Sequence, residues 1–81
     1  MPAPIQIVVG EPNWAPLEAV MPTTELQNFM YMGNAGEIEL YKHCFTRRYL
    51  NISRDAQNFY QYLDGEYVEI TRATALDYVR R

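Results

Sequence analysis

Polar and apolar residues alternate with a period of two along Glu37–Phe45, Tyr49–Ser53 and Asn58–Leu63, the mark of half-buried strands. In the first stretch Ile38, Leu40 and Cys44 take one side, and Glu37, Glu39, Tyr41 and His43 the other. Lys42 shares the apolar side by parity and is expected where that side opens to water. In the second, Leu50 and Ile52 oppose Tyr49 and Asn51; in the third, Phe59 and Leu63 oppose Tyr60 and Tyr62. Asp64-Gly65 is the strongest hairpin signal in the chain, and Glu66–Ile70 reads as the return strand. Upstream, Phe29–Met32 reads as a short strand. Gly33–Gly36 reads as a turn, because Gly and Asn tolerate positive φ. Arg54–Gln57 is a further turn. The link Phe45–Arg48 lacks Gly, Asn and Asp, so no tight hairpin type is assigned to it. A longer bent connection and one continuous kinked strand both stay open.

The period changes at the C-terminal end. Ala73, Leu76 and Val79 recur at helical spacing behind Thr71, which can cap a helix over Arg72–Arg80. Asp77 and Arg81 form an i,i+4 pair that supports it weakly. The N-terminal quarter differs again, since residues 1–22 hold all five prolines. Proline removes a backbone donor and disrupts helix interiors and central strands, so this quarter is expected to be mostly irregular. Two short elements are expected within it. Ile5–Val9 reads as an edge strand or a docking arm. Pro16–Met21 reads as a short helix, with Pro16 at its first position, where a missing donor costs nothing. Trp14 is expected to anchor the segment to the body, and Thr23–Asn28 to make a turn or a single helical turn.

The expectation is an α+β fold: a small antiparallel β-meander of four to five strands packed against a C-terminal helix, with a proline-rich N-terminal arm and short helix. Residues 1–81 form one domain, divided into the arm (1–22), the meander (29–70) and the helix (71–81). Leu40, Leu50, Ile52, Val68 and Leu76 are placed in one core. A domain of 81 residues buries only about 60–65% of its unfolded surface, which implies modest stability.

Composition narrows the function classes. Apolar residues make up 48% of the chain, enough for a core and too many for a disordered segment. The net charge of −3 counts against a generic nucleic-acid binder, whose domain is usually basic. One cysteine allows no intramolecular disulfide and fits a reducing compartment. The N-terminal apolar run lacks a basic flank and is short for a leader, and no stretch approaches a membrane span. A soluble, cytoplasmic protein is expected.

Candidate chemistry gathers on one sheet face. By the parities above, Tyr41, Tyr49, Tyr60, Tyr62 and Tyr67 stand opposite the Ile/Leu/Val set, with Glu39, His43, Arg47, Asn51 and Glu69 beside them. One reading has the N-terminal arm, through Trp14 and Ile5–Val9, covering this face as a second small core. Another leaves it exposed as a protein-binding face, since Tyr and Arg are enriched in interface hot spots. A third makes it a base-stacking face for RNA, against which the glutamates count. Lys42, Arg47 and Arg48 form a local basic spot, either a solvated turn paired to Glu37 or Asp55 or a contact for an acidic partner. Cys44 is expected as a small buried residue. It and His43 cannot form a dyad on a regular strand, where neighbours point to opposite faces. A general base at His43, beside Glu39 and Arg47, is the enzymatic alternative. One histidine and scattered carboxylates give no metal-site spacing, and Gly33–Gly36 lacks the Lys and helix of a phosphate loop.

The leading expectation is therefore a non-enzymatic interaction domain. It binds a protein partner or itself through Tyr41, His43, Arg47, Arg48, Tyr49, Tyr60 and Tyr62, with no cofactor and no membrane contact. A weak RNA or single-stranded nucleic-acid binder is the first alternative. A small hydrolase or ribonuclease centred on His43 is the second.

Overall fold

The computed structural model describes residues 7, 8 and 10–81. Five strands form an antiparallel meander in chain order: β2 (Phe29–Ala35), β3 (Ile38–His43), β4 (Tyr49–Ser53), β5 (Phe59–Leu63) and β6 (Glu66–Ile70). A two-residue strand, β1 (Ile7–Val8), adds to the free edge of β2, Ile7 opposite Ala35 and Val8 opposite Asn34. The rest of the expected Ile5–Val9 element, with Pro2 and Pro4, lies outside the described residues. Helices α1 (Ala15–Val20), α2 (Thr23–Leu26) and α3 (Arg72–Arg80) complete the fold. No helix among the described residues is long and apolar enough to cross a membrane.

Local chemistry accounts for the boundaries. Pro16 sits in the first turn of α1, and Met21, which precedes Pro22, is extended at φ −120°, ψ 144°, so α1 stops there. The Thr71 hydroxyl caps α3 by accepting from the Thr74 amide at 3.1 Å. Asp64 and Gly65 have φ of 49° and 83°, the two positive values of a I′ hairpin, and Leu63 pairs with Glu66 across them. The turn expected at Gly33–Gly36 is shorter. Gly33, Asn34 and Ala35 belong to β2, and the loop is Gly36-Glu37, with Gly36 at φ 64° in the first position. Gly33, at φ 102°, instead serves a bulge: the register steps from Tyr31–Tyr41 to Gly33–Leu40, leaving Met32 as the extra residue.

The core lies between one sheet face and the helices. Leu17, Val20 and Met21 from the first helix and its end, and Ala75 and Val79 from the last, pack on Phe29, Tyr41, Leu50, Ile52 and Phe59. Burying a Leu, Ile or Phe completely contributes about 1.5–3 kcal/mol each, so this set supplies most of the driving force. Trp14 packs at its border, 5.7 Å from the Tyr41 ring and 6.1 Å from Tyr31, and so anchors the N-terminal segment as expected. It does so on the helix side, against Tyr31 and Tyr41; the cover expected from the Ile5–Val9 side chains lies outside what is described.

The register corrects the assignment of β3. His43 N–H donates to the Arg48 carbonyl at 2.9 Å, closing a four-residue loop, Cys44–Arg47, between the strands. That loop length sets Tyr41 opposite Leu50 and Glu39 opposite Ile52. Tyr41, Glu39 and His43 therefore share the helix-covered face, while Leu40 points to the other. A slip of one residue reverses every side chain of a strand, and the apolar alternation assigned this one the wrong way round. Tyr41 is fully buried, and its hydroxyl donates to the Asn13 carbonyl. Glu39 is buried as well, but it is satisfied: it accepts from the Tyr31 hydroxyl at 2.6 Å and pairs with Arg54 at 2.9 Å. Of the expected core, Leu50 and Ile52 are central and Leu76 packs at the margin. Leu40 is buried outside this cluster, and Val68 is exposed. In α3 the deep positions are Ala75 and Val79, with Ala73 exposed. Cys44 is also exposed, because the strand ends at His43 and the thiol stands in the loop.

Candidate functional site

A groove runs from the face away from the helices to Tyr78 on α3, and the sheet's own pairing creates it. β4 and β5 pair over two residue pairs, Asn51–Tyr60 and Ile52–Phe59. β4 stays paired to β3 back to Tyr49, and β5 stays paired to β6 out to Leu63. Each strand is thus held on its outer side while the two part. The facing main-chain edges of Tyr49–Leu50 and Gln61–Leu63 have no ladder partner. Had the ladder continued, Tyr49 would stand opposite Tyr62.

The opening has a volume of about 450 Å³, within the range typical of ligand sites. Its walls are aromatic: Tyr49, Tyr62 and Tyr67 from the strands, and Tyr78 from α3. Tyr62 and Tyr67 are cross-strand neighbours with ring centroids 5.0 Å apart. Burial raises the Tyr67 phenol above its ordinary pKa, and the neighbouring phenols of Tyr62 and Tyr49 push the same way. Leu40 and Asn51 line the groove from below and are 1% and 3% exposed. Asn51 Nδ2 donates to the Tyr60 carbonyl at 3.1 Å, whereas its Oδ1 has no partner among the described residues. A buried acceptor left unpaired costs about 1–3 kcal/mol.

The basic residues come from the loop just ahead of Tyr49. Arg47, at φ 63°, and Arg48 both line the groove. The Arg48 guanidinium lies 4.7 Å from the centroid of the Tyr78 ring, and the Lys42 ammonium 5.9 Å from that of Tyr49. The expected pairing of the arginines with Glu37 or Asp55 is absent among the described residues. The ion pairs there are Arg54–Glu39, Arg80–Glu25 and Arg81–Asp77. Asp55 instead accepts from the Ser53 hydroxyl and the Gln57 amide, which hold its carboxyl below the usual carboxylate range.

Of the seven residues read as candidates from the sequence, Arg47, Arg48, Tyr49 and Tyr62 meet in the groove. Tyr60 is half-buried on the same face, opposite Asn51 and Glu69, outside the groove lining. Tyr41 and His43 are on the far side of the sheet. His43 is a structural brace: its Nδ1 accepts from the amides of Phe45 and Thr46, both at 3.2 Å, and its ring stands edge-on to Phe29 at 5.0 Å. With Nδ1 accepting, the neutral ring carries its proton on Nε2, which makes that nitrogen a donor. Sequence reasoning had Asn51 and Tyr67 on the right face but did not single them out. Tyr78 was missed; its one signal is an aromatic ring beside the apolar stripe of α3. Leu40 had no signal at all, since its apolar character reads as core.

Among the described residues no group of three or more His, Cys, Asp or Glu side chains is placed to hold a metal ion. Comparison with protein-family models, with curated proteins and with solved structures found no match.

Proposed function

We propose that this chain is a small non-enzymatic interaction domain, cytoplasmic, that binds a protein partner through the groove between β4 and β5. The observation that carries this reading is the parting of two neighbouring strands at the point where four tyrosines converge. Unladdered main-chain edges invite a polypeptide, which can pair with them as an added strand does. The rings supply apolar contact at low entropic cost, and Tyr62 and Tyr49 are already 57% and 38% exposed.

The test is selection from a random peptide display library on the wild-type protein, with counter-selection on Tyr49→Ser/Tyr62→Ser. Both side chains are exposed, so the variant keeps the wild-type melt. Enriched peptides are expected to bind the wild type and lose at least tenfold on the variant. Equal binding to both proteins, or no enrichment, refutes the reading. Sedimentation of the protein alone reveals whether a second copy is the partner.

The nucleic-acid alternative draws on Lys42, Arg47 and Arg48 standing beside stacking rings. Its signature is affinity for single-stranded RNA that falls steeply with salt as counterions are released. The hydrolase alternative at His43 receives no support from a ring whose Nδ1 already braces its own loop.

A further inference from the structure

We infer that the partner segment presents an acidic side chain next to an aromatic or large apolar one, the carboxylate meeting Arg47 and Arg48 and its neighbour lying among the tyrosine rings. The inference rests on the protein-binding reading above and adds the chemistry of the partner.

The local charge favours an acidic partner. Arg54, Arg80 and Arg81 each pair with a carboxylate, at 2.9, 2.9 and 2.6 Å. Arg47 and Arg48 have no acidic partner among the described residues, although both line the groove. Arg72 is also without one, but it opens α3 and does not line the groove.

The placement of Arg48 favours a carboxylate. The Arg48 guanidinium sits over the Tyr78 ring, its carbon 4.7 Å from the centroid, and none of its N–H groups has a hydrogen-bond partner among the described residues. Those donors are left for a planar, bidentate acceptor, which is what a carboxylate offers.

The overall charge separates a peptide from a nucleic acid. A chain of phosphates would bring one negative charge per nucleotide to a protein of net charge −3, with Glu69 exposed on the same sheet face. One carboxylate uses the two arginines and avoids that repulsion. A peptide also carries the amides and carbonyls that the parted strands lack, which a sugar-phosphate backbone does not.

The experiment titrates ¹⁵N-labelled protein with three capped peptides identical except at two central positions: Phe-Glu, Phe-Gln and Gly-Glu. A hexameric single-stranded RNA serves as a fourth probe. The Phe-Glu peptide is expected to saturate, with amide shifts concentrated at residues 47–51, 61–67 and 78. The other two peptides are expected to bind at least tenfold more weakly. In Arg47→Asn/Arg48→Gln the preference for Glu over Gln is expected to vanish. Asn is chosen at position 47 because it tolerates the left-handed backbone there. Equal binding of Phe-Glu and Phe-Gln, a preference that survives in the arginine variant, or tighter occupancy of the groove by RNA overturns the inference. If display-selected peptides occupy the groove without an acidic residue, this inference fails and the protein-binding reading stands. If no peptide shifts the groove residues, both fail.

Discussion

Replacing Tyr41 by Phe separates two contributions of one buried hydroxyl, and pH distinguishes them. The ring is fully buried and its hydroxyl donates to the carbonyl of Asn13. A net hydrogen bond of this kind contributes about 0.5–1.5 kcal/mol. Asn13 is half-buried, so its carbonyl recovers some hydration, and a loss of about 1 kcal/mol at pH 7 is expected. Burial, with smaller contributions from the nearby Glu39 carboxylate and Tyr31 phenol, holds the Tyr41 phenol well above its ordinary pKa of 10.0 in the folded protein. The folded state therefore keeps a proton that the unfolded chain releases above pH 10, and stability falls as pH rises through that region. The slope is about 1.4 kcal/mol per pH unit for this one group. By pH 11 it removes about 1.4 kcal/mol from the wild type and nothing from the Tyr41→Phe variant. The wild type is thus the more stable at pH 7, the two curves cross between about pH 10 and 11, and the variant is the more stable above that. Trp14, the one tryptophan, sits 5.7 Å from the Tyr41 ring and reports urea unfolding by fluorescence. Parallel stability curves from pH 7 to 11 would refute the reasoning, since they would mean that the phenol titrates as it does in water.

Three further outcomes follow from the packing. Leu50→Ala is expected to cost about 2–5 kcal/mol and Val68→Ala under about 0.5 kcal/mol, both read from chemical denaturation; equal losses would contradict the core assigned above. Arg54→Ala is expected to lower the denaturation midpoint because it strips the buried Glu39 carboxylate of its cation, though less than for a fully buried pair since the Arg54 side chain is 54% exposed, and Glu39→Gln in the same protein should recover part of the loss. Asn51→Val removes the unpaired Oδ1 together with the Nδ2 bond to the Tyr60 carbonyl, two effects of opposite sign and about 1 kcal/mol each, and is expected to stay within about 1 kcal/mol of the wild type, whereas a loss above about 2 kcal/mol would reveal a partner for that oxygen.

Much of this architecture is legible in the sequence, and the part that is not has a definite cause. The meander from Phe29 to Ile70, the Asp64-Gly65 hairpin and the Thr71-capped helix follow from periodicity and turn chemistry. The face of β3 does not. Leu40 and Tyr41 are both credible inward residues, and the choice rests on the length of a loop that lacks the usual turn residues. The partners that let Glu39 and Tyr41 turn inward are Arg54, Tyr31 and the Asn13 carbonyl, distant in sequence and invisible to any local pattern. Four of the seven candidate residues meet in the groove because the Tyr49 and Tyr62 parities hold on either side of it. The groove itself depends on where a ladder stops and on a ring from α3, neither of which periodicity encodes.

The short ladder between β4 and β5 also has a mechanical consequence. A sheet is stiff along its hydrogen-bonded rows, and here one seam is held by two residue pairs while its neighbours have five each. The molecule is thus two plates joined along a narrow weld: β1 to β4 with α1 and α2, and the β5–β6 hairpin. α3 acts as the splint across it, with Ala75 and Val79 packed among Leu50, Ile52 and Phe59 and the Thr46 hydroxyl pinned to the Val79 carbonyl at 2.8 Å. Within the five-strand meander that weld is the shortest seam, so shear there falls on the lips of the groove when something is seated between them.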